Sequence, residues 1–299
     1  MISVIVTAYN VEFYIKRAIE SALSQDADVE IIAVDDHSAD GTWNAITSIQ
    51  DPRVKPLRLP ENGGPSVARN AGIALAGGEW IVVLDGDDAF APGRLARCLA
   101  AANDTDIIVD NLIVVRETDG AEFPMFNRLP PIDAATFING RADANGNYTL
   151  GYLKPLFRRA FLIQHKLAYD PALRIGEDYR LLLEALLSGA RCRVVQTAGY
   201  RYTARKHSIS YRLTGADITR MLQADAQIIA RYTLDAQAAA AQSRRTSWLV
   251  RERAYSQMVE AIKQKDWFGA LKAVASCPSC AALLERPVRV RLQRWFSHA

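Results

Sequence analysis

Long apolar runs are absent from this chain of 299 residues. No segment approaches the roughly 18 to 20 apolar residues that a membrane helix needs. The opening MISVIVTAYN has no basic stretch and no extended apolar core, so it does not read as a signal peptide. Cysteine is scarce. Cys98, Cys192, Cys277 and Cys280 do not suggest a disulfide framework in a chain of this size, and a reducing compartment suits them. Excess charge of one sign is nearly absent too: a net +3, with no Lys/Arg-rich block early in the chain, argues against a nucleic-acid partner. No GxGxxG follows the first apolar run and no GxxxxGK[ST] occurs, which disfavours a dinucleotide dehydrogenase and a P-loop ATPase. The lone Cys277-Pro278-Ser279-Cys280 has no second pair to complete a zinc site, and reads as structural or incidental.

What is present is the composition of an ordinary globular protein, 49% hydrophobic and 23% charged, long enough to bury a large core. The first hundred residues alternate short apolar runs with helical patterns. Ser3–Thr7, Ile31–Val34, the weaker Val54–Leu59 interrupted by Pro56, and Trp80–Leu84 read as strands. Residues 11–25, Thr42–Ile49 and Pro65–Ala76 read as helices, the last with Pro in its first turn and Gly77-Gly78 stopping it. Such alternation predicts an α/β fold with a mainly parallel sheet flanked by helices, whose ligands bind beyond the carboxyl ends of the strands. Residues 107–115 form another apolar run, and a loop-rich stretch follows. Residues 178–189 read as helix and 191–202 as strand. From about 214 onward strand signals vanish and the pattern becomes helical.

Polar clusters stand at those strand ends. Asp85-Gly86-Asp87-Asp88 crowds three carboxylates into four residues, which repel one another unless a cation shares the site. Mg²⁺ and Mn²⁺ commonly take one or two carboxylates together with substrate phosphates, and Gly86 permits a sharp turn between ligands. In isolation the cluster suits a solvated acidic loop equally well. Asp35-Asp36-His37-Ser38 can accept hydrogen bonds from a base or ribose, or simply cap the helix that follows. Glu61–Asn70 couples a Gly pair to a helix start, where backbone amides can face an anion and Arg69 can meet a base edge or phosphate. Gly176-Glu177-Asp178-Tyr179 places acids at a helix N-terminus, which the macrodipole favours by itself but which also suits a general base. Arg201, Arg205, Lys206 and His207 form a basic cluster able to neutralise a diphosphate, with His207 a candidate metal ligand.

Taken in order, SVIVTAYN at 3–10, VDDHSADGT at 34–42, ENGGPSVARNAGI at 61–73, LDGDDAF at 84–90 and GEDYRLLLEAL at 176–186 resemble the family 2 glycosyltransferases with the GT-A fold. The resemblance spans roughly residues 1–210. It implies transfer of a sugar, a hexose, from a UDP-sugar to a hydroxyl of a glycan or lipid-linked oligosaccharide. It implies Mn²⁺ or Mg²⁺ as cofactor, a cytoplasmic location, and a subfamily similar to the bacterial exopolysaccharide transferases of succinoglycan-type synthesis.

By the same resemblance Tyr9, Asp36 and Arg69 line the uridine pocket. Thr7, Asp35, Asp85, Gly86, Glu177 and Arg205 belong to the nucleotide-sugar site, Asp87, Asp88 and His207 to the metal, and Asp178 is the catalytic base. Asp85 and Asp87 correspond to the family's DxD pair. On this basis the chain divides into a nucleotide-sugar-binding half (1–105), an acceptor-binding half (106–212) and a helical C-terminal extension (213–299). One departure is His37, where the family often has Gly. The QxxRW hallmark of processive synthases is not clear either, since Gln293-Arg294-Trp295 has the wrong spacing, so single-sugar transfer is expected. One catalytic carboxylate without an opposite nucleophile implies an inverting displacement. A nucleotidyltransferase and a silent nucleotide-sugar-binding subunit are the alternatives. Arg286–Phe296 carries four arginines and no acid, with Val288, Leu292, Trp295 and Phe296 within helical reach of one face, and is expected to contact an anionic inner leaflet or to pack on protein.

Overall fold

The computed structural model describes residues 1–140, 148–205 and 213–284. The Arg286–Phe296 segment, Lys206 and His207 therefore lie outside the described residues.

The first half alternates strand and helix: β1 (Ile2–Ala8), α1 (Ile15–Leu23), β2 (Val29–Asp35), α2 (Thr42–Thr47), β3 (Val54–Arg58), α3 (Pro65–Leu75) and β4 (Trp80–Asp85). Every residue of β2 and all but one of β1 are buried, the signature of strands covered on both faces. Pro56 is accommodated because β3 pairs only with β2 and forms the sheet edge, where a missing N–H leaves no ladder bond unmade. The helix expected over 11–25 begins later, at Ile15, because residues 11–14 turn: the Val11 N–H is held by Thr42 Oγ1 at 2.8 Å. Gly72 lets α3 lie close on the sheet, since a Cβ there would stand 2.4 Å from Ile5 Cγ2.

The second half inserts into the same sheet. It comprises β5 (Ala89–Phe90), α4 (Arg94–Ala100), β6 (Ile107–Arg116), β7 (Glu122–Pro124), α5 (Ala134–Asn139), β8 (Leu156–Arg158), α6 (Arg159–Gln164), α7 (Glu177–Leu187) and β9 (Cys192–Ala204). The strand order is β3-β2-β1-β4-β8-β6-β9-β5, with β7 on β6. The long ladders, β1 with β2 and β4, β2 with β3, and β6 with β9, are parallel; the short ones through β5, β7 and β8 are antiparallel. Strands of two or three residues carry no periodicity, which is why β5, β7 and β8 left no mark in the sequence pattern.

Three α-helices, α8 (Gly215–Arg231), α9 (Ala236–Lys263) and α10 (Trp267–Ser276), and a 3-10 helix (Pro278–Leu284) close the described chain. Each α-helix opens on a side-chain cap, from Thr214, Asp235 and Asp266. Ile228, Ala238 and Ala241 join the main core, and Arg245 lies 3.7 Å over the ring of Tyr179. A small second cluster holds Ala254, Met258, Ala270, Ala273 and Cys280. All four thiols are free, with Cys280 fully buried in that cluster.

At the end of the sheet where β1 begins, Glu30 gathers four donors. Ser3 Oγ (2.5 Å), the amides of Gly77 (2.7 Å) and Gly78 (3.1 Å) and Lys55 Nζ (2.6 Å) all reach its carboxylate. Burial alone raises such a group, but Lys55, Ser3 and the Gly77 amide together hold it down at about 2. The folded state therefore binds this proton less readily than the unfolded chain, and the stabilisation is complete above the unfolded value of 4.5 and lost as pH falls towards 2. Glu30→Gln is expected to cost about 2–3 kcal/mol in urea unfolding at pH 7. The gap to the parent should narrow below pH 4; a gap that stays constant from pH 7 to pH 3 would contradict this account.

Candidate active site

The carboxyl ends of β1, β2 and β4 lie side by side, and the two Asp pairs of the sequence meet there. Asp35 is fully buried; its Oδ1 accepts from the Ser38 amide and its Oδ2 faces Arg58 Nε at 3.2 Å. Asp36 accepts from the amides of Gly63 (2.8 Å) and Gly64 (2.9 Å) and from Asn62 Nδ2 (2.9 Å). It thereby ties the loop before α3 to the end of β2. Burial pushes its carboxyl up against those donors. His37 has φ 61°, the left-handed region that glycine enters freely, which gives a backbone reason for the Gly common at this place. Tyr9 is half exposed and Thr7 partly buried beside Asp85 in the ladder.

The turn after β4 is pinned to β1 by the Gly86 amide, which donates to the Thr7 carbonyl at 2.8 Å. A Cβ on Gly86 would sit 2.9 Å from that oxygen, so the close approach needs glycine. The three carboxylates of the turn then diverge. Asp88, expected at the metal, points inward: it is 1% exposed and accepts from Tyr200 Oη and the Thr203 amide, both at 2.7 Å. Burial, with Asp87 and Asp85 nearby, pushes its carboxyl well above the usual range. Asp87 pairs with Arg205, while its main-chain carbonyl is held by Arg17 (2.6 Å) and Thr203 Oγ1 (2.7 Å). Arg205 also lies 5.0 Å over the ring of Tyr14.

Asp85 enters a closed ring of alternating charge. Its Oδ1 meets Arg69 Nη2 at 2.8 Å and its Oδ2 meets Lys154 Nζ at 2.7 Å. The same two cations hold Asp178, Lys154 at 2.6 Å and Arg69 at 3.1 Å. Glu177 adds a third carboxylate at 2.5 Å from Arg69. Burial opposes the charge on Asp85, but Lys154 and Arg69 outweigh it and hold the carboxyl well below the usual range. Lys154 is shifted the other way: burial would lower it, yet Asp178 and Asp85 raise it. Burial pushes the Glu177 carboxyl up. Beneath Arg69 lies the ring of Tyr169, 5.1 Å away, in a segment fixed by reciprocal hydrogen bonds between Asn70 and the Tyr169 backbone.

Lys154 escaped the sequence reading because a single Lys in a loop has no pattern. Its support did leave a trace. Asp110 interrupts the apolar run 107–115 and forms a two-bond pair with Arg94, whose guanidinium also donates to the Lys154 carbonyl at 2.7 Å. Arg94 is fully buried between the rings of Phe90 and Tyr200. β9 makes room for the pair with Gly199, where a Cβ would fall 2.5 Å from Asp110 Oδ2.

The structure thus brings Arg69, Asp85, Glu177 and Asp178 together, with Asp87 and Arg205 on the other side of the DGDD turn. Asp36 and Asp88 have their carboxylates turned to the fold's own donors, while Asp35 Oδ2 is buried near Arg58 without a hydrogen bond. Among the described residues no group of three His, Cys, Asp or Glu side chains is arranged to hold a metal ion. A site completed by substrate phosphate needs fewer. Asp87, with its side chain 20% exposed, is a carboxylate suited to that arrangement.

A sheet of this order with acidic turns at the β4 end is the GT-A architecture of nucleotide-sugar transferases. Residues 3–163 match the model of Glycosyl transferase family 2, and the chain belongs to that family of glycosyltransferases. It is 43% identical to the succinoglycan biosynthesis protein ExoO of Rhizobium meliloti over 98% of this chain and 86% of the relative. It is 36% identical to ExoU of the same organism over 90% and 80%. Among solved structures, Staphylococcus aureus TarS with UDP-GlcNAc superposes with a TM-score of 0.68 at 19% identity, covering 92% of this chain and 90% of that one. A Pyrobaculum calidifontis mannosyltransferase with GDP-Man and Mn²⁺ gives 0.61 at 19% identity, over 99% and 83%.

Removing Lys154 leaves Asp85 and Asp178 to share Arg69, itself 4% exposed. Lys154→Met is expected to lower unfolding stability by about 3 kcal/mol, the usual cost of breaking a buried pair by deleting one partner. Urea unfolding of both proteins at pH 8 checks it; equal stabilities would show that the ring does not hold the fold.

Proposed function

We propose that this glycosyltransferase transfers a hexose from a UDP-sugar, with inversion, to a hydroxyl of a glycan or lipid-linked acceptor in exopolysaccharide synthesis. The observation that carries the proposal is the shared pairing of Asp85 and Asp178 with Lys154 and Arg69, which fixes a carboxylate of the DGDD turn relative to the carboxylate at the head of α7. The likeness to ExoO and ExoU supports the exopolysaccharide acceptor, and the UDP-GlcNAc complex of TarS supports a uridine nucleotide.

Asp178 is the general base. Its side chain is 14% exposed, and each carboxylate oxygen can accept more than the one cation contact it makes. It takes the acceptor hydroxyl's proton as that oxygen bonds to the anomeric carbon. The bond from that carbon to the diphosphate breaks on the opposite face, its electron pair leaving with the nucleotide. Arg205 faces the departing diphosphate. Asp87, with His207 beyond the described residues, would hold Mn²⁺ or Mg²⁺, which supplies charge neutralisation for the diphosphate when bound. Asp88 serves this site from behind by bonding Tyr200 and Thr203. Thr7, Tyr9, Asp35, Asp36, Arg69, Asp85, Gly86 and Glu177 build the donor pocket, several through the loop they hold. No helix among the described residues is long and apolar enough to cross a membrane. A cytoplasmic enzyme touching the inner leaflet through Arg286–Phe296 fits this reading.

Two measurements test it. Asp178→Asn, nearly isosteric but unable to take the proton, should lose at least roughly a hundredfold in kcat while keeping donor affinity. Near-normal turnover in the folded variant rules out the base. Turnover on a donor panel should stop in chelator and return with added Mn²⁺, and Asp87→Ala should bind Mn²⁺ more weakly by calorimetry in the presence of UDP. Full activity in chelator refutes the metal, and release of pyrophosphate instead of UDP would turn the assignment to nucleotidyl transfer.

A further inference from the structure

The corner between α9 and α10 displays what a soluble surface ordinarily hides. Trp267, Phe268 and Leu271 are 66%, 80% and 69% exposed. Spaced at i, i+1 and i+4, they share one face of α10, while Ala270 and Ala273 on the other side bury against Ala254, Met258 and Cys280. The corner that presents them is tightly built. Lys265 takes φ 61° and its amide donates to the Ile262 carbonyl at 3.1 Å. The Asp266 amide donates to the Ala261 carbonyl at 2.8 Å, and the Asp266 carboxylate caps the Gly269 amide at 2.8 Å. A Cβ on Gly269 would stand 2.2 Å from that carboxylate, so the first turn of α10 closes on glycine. The aromatic pair is thus projected by a fixed turn.

Three lysines stand around them. Lys263, Lys265 and Lys272 are exposed, and no ion pair engages them among the described residues. Two carboxylates share the corner: Asp266, occupied as the cap, and Glu260, which accepts from Gln264 Nε2 at 3.0 Å. A second copy docked face to face would bring the three lysines against one another. A negatively charged surface with an apolar layer beneath it satisfies both the lysines and the aromatic rings.

We infer that the first turn of α10 is an interfacial docking surface for an anionic lipid bilayer, with Trp267, Phe268 and Leu271 entering the headgroup boundary and Lys263, Lys265 and Lys272 facing the phosphates. The surface deepens the inner-leaflet contact proposed for the C-terminal segment but does not depend on that segment, nor on which sugar is transferred.

The test compares four proteins on vesicles of phosphatidylglycerol with phosphatidylcholine, and on phosphatidylcholine alone, at low and high salt. They are the full chain, the full chain carrying Trp267→Ser, Phe268→Ser and Leu271→Ser together, and a chain ending at Glu285 without and with the same three substitutions. Co-sedimentation gives the bound fraction, thermal unfolding confirms that each is folded, and sedimentation velocity reports self-association. The full chain should bind the anionic vesicles and release in salt. The triple variant should bind at least roughly tenfold more weakly with an unchanged unfolding midpoint. The shortened chain should retain binding that the same three substitutions abolish. The inference is overturned if the triple variant binds like the parent, or if shortening alone removes all binding, which would leave the contact to Arg286–Phe296. It is likewise overturned if the full chain binds no vesicle and forms dimers that the triple variant disrupts. Should the triple variant unfold, Trp267→Ser alone, at an exposed position, repeats the comparison.

Discussion

Two buried cations hold three carboxylates in one place, and much of the chain is arranged to keep them there. Like charges at this burial would be prohibitive without partners. Arg69 and Lys154 remove the difficulty by standing between Asp85 and Asp178, so that neither carboxylate faces the other without a cation between them. The groups come from four separate stretches: α3, the end of β4, the loop before β8 and the head of α7. Distant parts of the fold serve them in turn. Tyr169 underlies Arg69, while Arg94 and Asp110 fix the backbone of Lys154 from deep in the β6–β9 layer. The register irregularity of that ladder falls between Asp110 and Leu112, beside the Asp110–Arg94 pair, with the extra residues in β9.

The opposite end of the sheet repeats the principle with a single acid. Glu30 collects Ser3, Lys55 and two backbone amides into one knot that locks the start of β1 against the turn before β4. The sheet is thus pinned at both ends by satisfied buried carboxylates. Between the pins the strands are almost wholly apolar, and register there is set by packing alone.

Most of the first half was legible in the sequence because each of its long strands is a continuous apolar run followed by a turn signal. β5, β7 and β8 are too short to show a period, yet β8 joins the two halves of the sheet by pairing with both β4 and β6. In the site, the residue types were legible and their directions were not. Asp85, Asp87 and Asp88 are near neighbours in sequence, but the turn after β4 sends one to Lys154, one to Arg205 and one to Tyr200. No local pattern carries that information, since it depends on donors supplied by residues 69 to 118 positions away. Asp36 illustrates the same limit: a carboxylate beyond a strand end suits a ligand, and here it holds the loop that begins α3.

The placement of Arg245 over Tyr179 bears on how such a protein can change over generations. Tyr179 is the neighbour of Asp178, stacks on Phe137 at 5.0 Å, and is covered by a guanidinium from α9 that also pairs with Asp225 of α8. The C-terminal helices are therefore not an interchangeable accessory bolted to a finished enzyme. A graft of this extension from a relative would have to bring residues at positions 225 and 245 that match those already at 137 and 179. The extension and the active site are thus one packing problem, and neither can be exchanged without regard to the other.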